Sequence, residues 1–145
     1  MANVANKRPP GKSQLTYKDF DIGFRRHPAN GKLLLKKNDD SIRQALKYLV
    51  LLNKYERPYS PELGTDLRNH LFENFDPFTA DNLKVAIETA IKNFEPRVSI
   101  NDTGEGQGVY VRQIEDDNAL AVTIRYTNTN TSSVSDLNIN LNRIR

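Results

Sequence analysis

The 145-residue chain carries 21 Lys and Arg against 18 Asp and Glu, a formal net charge of +3, and 37% of its residues are apolar. This composition favours a soluble globular protein with one core, and no apolar run approaches the roughly 20 residues that cross a bilayer. The lack of cysteine excludes disulfides, thiolate metal sites and cysteine catalysis, and two histidines, His27 and His70, leave little material for zinc. The first residues lack the apolar core of a signal peptide, so we expect no export by the general secretion route.

The positive charge is concentrated near the N-terminus. Residues 1–37 hold nine Lys and Arg against two acids, or +7, whereas residues 38–145 hold twelve against sixteen, or −4. Residues 1–14 are polar and predict a flexible basic tail ahead of a single domain over residues 15–145. Such a tail can bind nucleic acid, but no recognition helix or aromatic platform accompanies it. We favour a tail that lies in water or on an acidic partner, and nucleic acid is the weaker alternative.

The segments that follow the tail predict a hairpin and a first helix. Apolar residues between 17 and 35 flank a turn at 28–31, so we expect an extended lead-in and a short strand or hairpin. Capping oxygens at 38–41 then precede apolar residues at helical spacing, which predicts a core helix of about 13 residues. The residues on its apolar face are Ile42, Ala45, Leu46, Leu49, Val50 and Asn53.

Two prolines and a glycine predict a loop over residues 55–64. After this loop, Thr65 or Asp66 is expected to cap a second, shorter helix that carries Leu67, Leu71 and Phe72. The Asp-Pro step at 76–77 is expected to end that helix.

Residues 79–95 predict the central helix of the fold. Their apolar positions follow the 3, 4, 3, 4 spacing of one helical face. We expect Thr79 to cap the first turn and Phe78 to pack on Leu83 as a hydrophobic staple. Pro96 ends the helix, because it has no N–H to donate and disfavours helical geometry at Glu95. The helix therefore meets a following strand at a rigid corner formed by Glu95, Pro96 and Arg97.

Beyond this corner the apolar period changes to two residues, which is typical of strands. Four antiparallel strands are predicted, joined by turns at 104–108, 116–118 and 127–135. The chain is therefore expected to form an α+β fold, with an N-terminal arm and three helices packed on a C-terminal antiparallel sheet of about four strands. The apolar positions are Val98 in the first strand, Val109 and Val111 in the second, Leu120, Val122, Ile124 and Tyr126 in the third, and Leu137, Ile139 and Leu141 in the fourth.

Two motifs invite catalytic or ligand-binding interpretations that the residues support weakly. The glycines at 104–108 lead into a strand, whereas a phosphate loop leads into a helix, so a hairpin turn is favoured. Glycoside cleavage needs a pair of carboxylates, for which the candidates are Glu56, Glu62, Asp66 and Glu73. Acids near loops and helix starts are common, and no sugar cleft is indicated. We therefore predict no catalytic residue, metal site or cofactor.

The charges of the corner leave two interpretations open. Glu95 and Arg97 can form a local salt bridge, worth at most about 1 kcal/mol if exposed. The same proline-locked geometry can instead present a carboxylate and a guanidinium to a partner protein. Residue types and spacing favour neither interpretation.

Three sequence blocks resemble the small baseplate-wedge proteins of contractile-tailed bacteriophages, also called sheath initiators. They are YERPYSPELGTDL at 55–67, LFEN at 71–74 with TAD at 79–81, and above all NFEPR at 93–97. The likeness covers roughly residues 17–126, is greatest to members from large myoviruses, and extends to a baseplate subunit of type VI secretion systems.

The resemblance implies a structural protein of the virion tail baseplate, assembled in the host cytoplasm, with six copies around the tube. Glu95, Pro96 and Arg97 would contact the helical bundle at the core of the wedge, supported by Arg57, Pro58 and Tyr59. The sheet would resemble the interlocking domain of the tail sheath subunit and exchange strands with the first sheath ring. Other partners would be tube or hub proteins, with no membrane. The residues implied in strand exchange are Val122, Ile124, Leu137, Ile139 and Leu141.

Some descriptions of this family assign it a lysozyme activity. No defined acid and nucleophile pair supports that assignment here, so we expect a non-enzymatic adaptor that docks on the wedge and initiates the sheath. The alternative is a tail-associated glycosidase that cleaves peptidoglycan, in which Glu56, Glu62 or Glu73 would be indispensable.

Overall fold

The computed structural model describes residues 16–72, 76–100, 108–114 and 119–142. The predicted tail at 1–14, the turn at 116–118 and Glu73 lie outside these ranges, as does the predicted glycine turn except Gly108. Within the described ranges, no helix is long and apolar enough to cross a membrane.

The N-terminal segment forms the expected hairpin. Strand β1 (Lys18–Phe20) pairs antiparallel with β2 (Leu35–Lys37), and an isolated bridge joins Arg26 to Leu33. Gln44 of the first helix fixes this hairpin to the body, because its Nε2 donates to the Phe20 carbonyl at 2.7 Å. This hydrogen bond joins β1 to α1 across 24 positions of the sequence.

Helix α1 (Asp39–Leu51) has the predicted length of 13 residues and buries the predicted apolar face. Asn38 precedes it, but the Asn38 side chain does not cap the helix. Its Oδ1 instead accepts a hydrogen bond from the Tyr17 amide at 3.2 Å. Asn53 lies beyond the end of the helix, so its assignment to the helical face was wrong.

The predicted second helix is replaced by a single 3₁₀ turn at Asn69–Phe72. The two residues expected to cap it are engaged elsewhere: Thr65 Oγ1 donates to the Val50 carbonyl, and Asp66 Oδ1 accepts from the Lys54 amide. Asp66 also has a φ of 55°, which is outside the extended geometry of an N-cap residue. The described chain therefore contains two α-helices and not the three predicted.

Helix α2 (Pro77–Phe94) ends where Pro96 predicts but begins earlier than expected. Asp76 is the N-cap, since its carboxylate accepts from the Thr79 amide at 2.6 Å, and Pro77 occupies the first helical turn, where its missing N–H costs nothing. Thr79 is therefore not the cap. Phe78 is 73% exposed, so the predicted staple on Leu83 was also wrong.

The four predicted strands form one antiparallel sheet. They are β3 (Val98–Ser99), β4 (Gly108–Ile114), β5 (Ala119–Asn128) and β6 (Val134–Asn142). Strand β5 is central: Thr127 pairs with Ser99 on one side and Val134 on the other, so β3 and β4 share one side of β5 and β6 takes the opposite side. The outer strands of the described sheet are therefore β6 on one side of β5 and the short β3 with β4 on the other.

Both helices cover the same face of this sheet. Helix α2 packs against β3 and β4, whereas α1 packs against α2 and β6. Every second residue of β5 from Leu120 to Tyr126 points into the core, and the intervening positions face away from the helices. The fold is the predicted α+β arrangement. Strand β3 begins at Val98, directly after the corner, as predicted. Residues central to the core include Ile42, Leu46, Leu83, Ile87, Ile91, Val122, Ile124 and Tyr126.

Candidate docking sites

Glu95 and Arg97 bind each other. Arg97 Nε donates to Glu95 Oε1 at 2.6 Å, and Arg97 Nη2 donates to Glu95 Oε2 at 2.7 Å, which is a bidentate ion pair. Glu95 is only 6% exposed. Its hydrogen bonds to the guanidinium raise the pKa of Arg97. The corner is thus a partly buried, hydrogen-bonded pair, and of the two interpretations the local salt bridge is present in the folded chain.

The third guanidinium nitrogen of Arg97 reaches the N-terminal hairpin. Its Nη1 donates to Asp19 Oδ2 at 3.2 Å, and the guanidinium carbon lies 5.3 Å from the centre of the Tyr17 ring. These contacts join residues 78 positions apart in sequence. Sequence reasoning missed Tyr17 and Asp19 because no local pattern connects them to Arg97. The corner therefore fastens the hairpin to the body.

The backbone of the corner is held by the turn between β5 and β6. The Arg97 carbonyl accepts from both the amide and the hydroxyl of Thr129, each at 3.0 Å. Next to this turn, the buried Asn128 side chain donates to Asp39 Oδ1 at 2.6 Å. The end of α2, the start of α1 and the turn are consequently fixed relative to one another.

The aromatic block before the 3₁₀ turn lies on the surface. Tyr59 is 99% exposed, and Pro58 is exposed as well. Arg57 places its guanidinium carbon 5.8 Å from the centre of the Tyr48 ring, on α1. The predicted support of the corner is wrong for Tyr59, because this exposed ring packs against no described part of the chain. Arg57 stacks on Tyr48 of α1 and not on the corner. Their exposure leaves them accessible to a partner.

Other residues of the same block brace the end of α1, a role that sequence reasoning missed. Gly64 has a φ of +133°, and a Cβ added there would lie 2.5 Å from the Leu52 carbonyl oxygen. The Thr65 amide donates to that carbonyl at 3.0 Å. The glycine in the Gly-Thr-Asp run was the signal that could have indicated this role, because only glycine allows the backbone to approach the Leu52 carbonyl so closely.

The predicted strand-exchange residues divide between two strands. Val122 and Ile124 lie in β5, where Val122 pairs with Val111 on one side and Ile139 on the other. A strand with neighbours on both sides has no free backbone groups, so β5 cannot receive an added strand. Their assignment to an exchanging edge is therefore wrong. Leu137, Ile139 and Leu141 lie in β6, which within the described sheet is paired only with β5.

The described carboxylates proposed for catalysis serve the loop that follows α1. Glu56 accepts from both the amide and the side chain of Asn53, at 3.1 and 2.9 Å. Asp66 is bound to the Lys54 amide. Glu62 borders a hollow of about 390 Å³ beside the end of α2, lined also by Lys54 and Asn93. Among the described residues, no group of three or more His, Asp or Glu side chains is arranged to hold a metal ion.

Within the described sheet, β6 has one side without a partner strand, and such an edge can pair with a strand of another chain. A family model described as baseplate wedge protein gp25 matches residues 36–133, more than half of the sequence. The chain belongs to this family of phage-tail baseplate proteins.

A curated relative agrees with this assignment. The baseplate wedge protein gp25 of Enterobacteria phage T4 is 39% identical over 87 residues, which is 60% of this chain. The match spans 61% of the T4 protein's length.

Two solved structures share the fold. A Geobacter sulfurreducens protein, provisionally described as a tail lysozyme, aligns with a TM-score of 0.64 at 17% identity and covers 77% of this chain and 96% of its own. A chain in the cryo-EM structure of the anti-feeding prophage baseplate aligns with a TM-score of 0.58 at 18% identity, covering 90% and 89%. At these identities the likeness concerns the fold alone.

Proposed function

We propose that this chain is a non-enzymatic adaptor of the baseplate. In this proposal the corner of Glu95, Pro96 and Arg97 docks on the helical core of the wedge. The outer edge of β6 receives a strand from the first ring of the tail sheath. Six copies, further contacts with tube or hub proteins, and assembly in the host cytoplasm belong to the same proposal.

The observation that carries the proposal is the outer edge of β6, which has no partner strand within the described sheet. Nine residues, from Val134 to Asn142, pair with β5 on one side. An unpaired strand edge offers N–H and C=O groups to an incoming strand, and proteins that avoid such pairing place proline, lysine or a bulge there. Strand β6 contains no proline or lysine, and its one charge, Asp136, is bound by Arg125 at 2.7 and 2.8 Å.

Strand β6 is a better acceptor than β4 on two counts. It is nine residues long, against seven in β4, and so offers more backbone groups. On the sheet face away from the helices it presents three asparagines, Asn138, Asn140 and Asn142. Amide side chains can hydrogen-bond to those of an added strand, which gives the pairing a preferred register.

The geometry of the corner supports its docking role through preorganisation. Glu95, Arg97 and the Thr129 contacts fix the backbone on both sides of the exposed Pro96. A partner that binds this surface loses little free energy to ordering it. Asp19, whose side chain is 41% exposed, adds a charge that the partner can reach.

Sheath assembly on baseplates tests the edge assignment. The variant Asn138→Lys/Asn140→Lys adds two charges along β6, and the control Tyr110→Lys/Ile114→Lys adds two along β4, also at positions that face away from the helices. Each variant is checked for folding by circular dichroism and for entry into the wedge. We expect the folded β6 variant to enter wedges without starting sheaths and the β4 control to start them normally. If only the β4 variant failed to start sheaths, β4 and not β6 would be the edge that accepts the strand. Normal sheaths from both variants would refute strand exchange.

A second pair of variants tests the corner. Arg97 and Arg125 each make a bidentate pair with one carboxylate, but Arg125 lies away from the corner, on the face of the sheet that the helices do not cover. We expect Arg97→Gln to fail to enter wedges while still folded, and Arg125→Gln to enter them. Normal entry by Arg97→Gln would make the corner a purely structural feature.

A further inference from the structure

The N-terminal hairpin exposes an unusual amount of apolar surface. Phe20, Ile22 and Phe24 are 63%, 54% and 72% exposed, and Leu33 and Leu35 of the returning segment are also exposed. Exposed apolar residues grouped in one element are typical of a protein-binding surface. Neither the corner nor the β6 edge uses this surface.

A groove lies between this hairpin and α1. Its volume is about 510 Å³, and its walls include Ile22 from the hairpin, Tyr48 and Leu51 from α1, and Arg68 from beyond the loop. Gln44 holds the walls in place, because its side chain donates to the Phe20 carbonyl and accepts from the Ile22 amide. The groove is therefore a preformed concavity with an apolar lining.

The groove carries an excess of positive charge. Lys47 and Arg68 line it with exposed side chains, and Arg57 lies over Tyr48 at its side. The acid in the lining is Glu56, and both of its oxygens accept hydrogen bonds from Asn53. A ligand that combines apolar side chains with carboxylates is complementary to this arrangement.

Residues 1–15 and 143–145 do not have the composition of such a ligand. Residues 1–15 contain Lys7, Arg8 and Lys12 with no acid, and the last three residues include Arg143 and Arg145. A phosphate backbone is also disfavoured, because Ile22, Tyr48 and Leu51 give the groove an apolar lining that phosphates do not complement. The Ile22 amide is bound by Gln44 and the Asp21 amide by the Leu34 carbonyl, so these residues offer no amide to an added strand. An amphipathic helix remains, with apolar anchors at i, i+3 and i+4.

We propose that this groove docks an acidic amphipathic helix of a neighbouring baseplate protein, with its apolar side chains on Ile22, Tyr48 and Leu51 and its carboxylates on Lys47 and Arg68. The inference rests on the proposed role as an assembly subunit. It does not use the β6 edge, which lies on another element, and it needs the corner only because Arg97 holds the hairpin that forms one wall of the groove.

Binding of a designed peptide to the full chain tests the groove. The probe is a fluorescein-labelled helix of about 20 residues with Leu at the anchor positions and Glu elsewhere. One control peptide replaces Glu with Lys, and a second scrambles the order of residues. Fluorescence anisotropy gives affinities, and NMR chemical shifts locate the site. We expect the acidic helix to bind at the groove, with the scrambled peptide at least about tenfold weaker and the Lys peptide not binding.

Matched charge variants separate the groove from general electrostatics. Lys47→Glu/Arg68→Glu should weaken peptide binding at least about tenfold, whereas Lys32→Glu/Lys92→Glu, with the same change in net charge, should alter it less than about twofold. Ile22→Ser should weaken binding without charge change. Equal losses in both double variants, shifts located elsewhere, or displacement of the peptide by duplex DNA or anionic vesicles would overturn the proposal.

One further variant distinguishes this proposal from the proposed function. Asn138→Lys/Asn140→Lys changes the outer face of β6 and no residue of the groove, so it should bind the acidic helix at the groove like the wild type while failing to start sheaths. Normal peptide binding together with normal sheaths would remove strand exchange and leave the groove. Loss of peptide binding in the folded variant would contradict the separation of the groove from the β6 edge.

Discussion

The body of the molecule and its N-terminal hairpin use large apolar side chains in opposite ways. In the body, α1, α2 and one face of the sheet bury Ile42, Ile87 and Ile124 completely. In the hairpin, Phe20 and Phe24 lie mostly in solvent. The hairpin is held to the body by polar contacts, through Gln44 and through Arg97. The body therefore supplies most of the buried apolar surface, whereas the hairpin leaves its apolar side chains accessible.

This division explains why hydrophobicity alone does not reveal function here. Burial of apolar surface stabilises the body by roughly 25 cal/mol per Å². The exposed aromatic residues of the hairpin contribute little of this stabilisation. The ion pairs at the corner connect the two regions. The buried Glu95 orients Arg97, and the guanidinium of Arg97 binds Asp19 of the hairpin.

Core truncation should give the largest effect and is the sharpest test of the contrast. Ile87 on α2 has no exposed surface, so Ile87→Ala should lower the free energy of unfolding by about 4 kcal/mol. The matched hairpin change, Phe24→Ala, should cost less than about 0.5 kcal/mol. Urea denaturation of both variants measures these values. A cost of several kcal/mol for Phe24→Ala would abolish the distinction between the regions.

Removal of the buried acid at the corner should rank second. Glu95→Ala leaves a largely buried guanidinium with only Asp19 as its carboxylate partner, and should cost about 3 kcal/mol. Because the two residues act as a pair, Glu95→Ala/Arg97→Ala should cost less than the sum of the single changes. Additive costs in urea denaturation would show that the pair is not coupled. Hydrogen exchange should also show the hairpin opening in either single variant.

Backbone geometry at the end of α1 gives a smaller effect. Gly64→Ala places a Cβ against the Leu52 carbonyl at a φ of +133°, and should cost about 2 kcal/mol. Gly31 also has a positive φ, but a Cβ there would meet nothing within 4 Å. Gly31→Ala should therefore cost about 1 kcal/mol or less. Thermal unfolding of both variants compares them, and equal shifts in Tm would argue against the close approach.

Acid titration should give the smallest differences and compares the two regions directly. The Thr79 hydrogen bond lowers the pKa of Asp76 in the body, and the Arg25 hydrogen bond lowers the pKa of Asp21 in the hairpin. A lowered pKa means that each contribution is fully present above the unfolded value of 3.8 and is lost as pH falls through the folded value. Asp76→Asn and Asp21→Asn should each flatten the acid limb of stability against pH. If the acid limb of the stability curve were unchanged in either variant, the replaced carboxylate would not contribute to stability through its lowered pKa.

Local patterns predicted the body well because they reflect period and backbone chemistry. The length of α1, the end of α2 before Pro96 and the four strands were all predicted from spacing and from proline. The second helix was mispredicted because Thr65 and Asp66 bind the end of α1, a contact between segments that spacing does not show. The start of α2 was misplaced because Asp76 was assigned to stop one helix when it caps the next.

The candidate sites were harder to predict than the fold. The sequence identified Glu95 and Arg97, but their link to Asp19 and Tyr17 depends on tertiary contacts across 78 positions. Strand alternation likewise identified Val122 and Ile124 as apolar without showing that β5 is central. The order of strands in a sheet, which determines the free edges, is set by long-range pairing.

The most direct test of the central claim is disulfide crosslinking between this chain and the sheath subunit in assembled tails. Because the chain has no cysteine, single cysteines can be placed at Asn140 on β6 and at Tyr110 on β4, both exposed and facing away from the helices. Each variant is combined with a cysteine series along the outer strands of the sheath subunit. The adaptor account predicts crosslinks from Asn140→Cys in one strand register and none from Tyr110→Cys. Crosslinks from Tyr110→Cys alone, or from neither position in tails with intact sheaths, would contradict it.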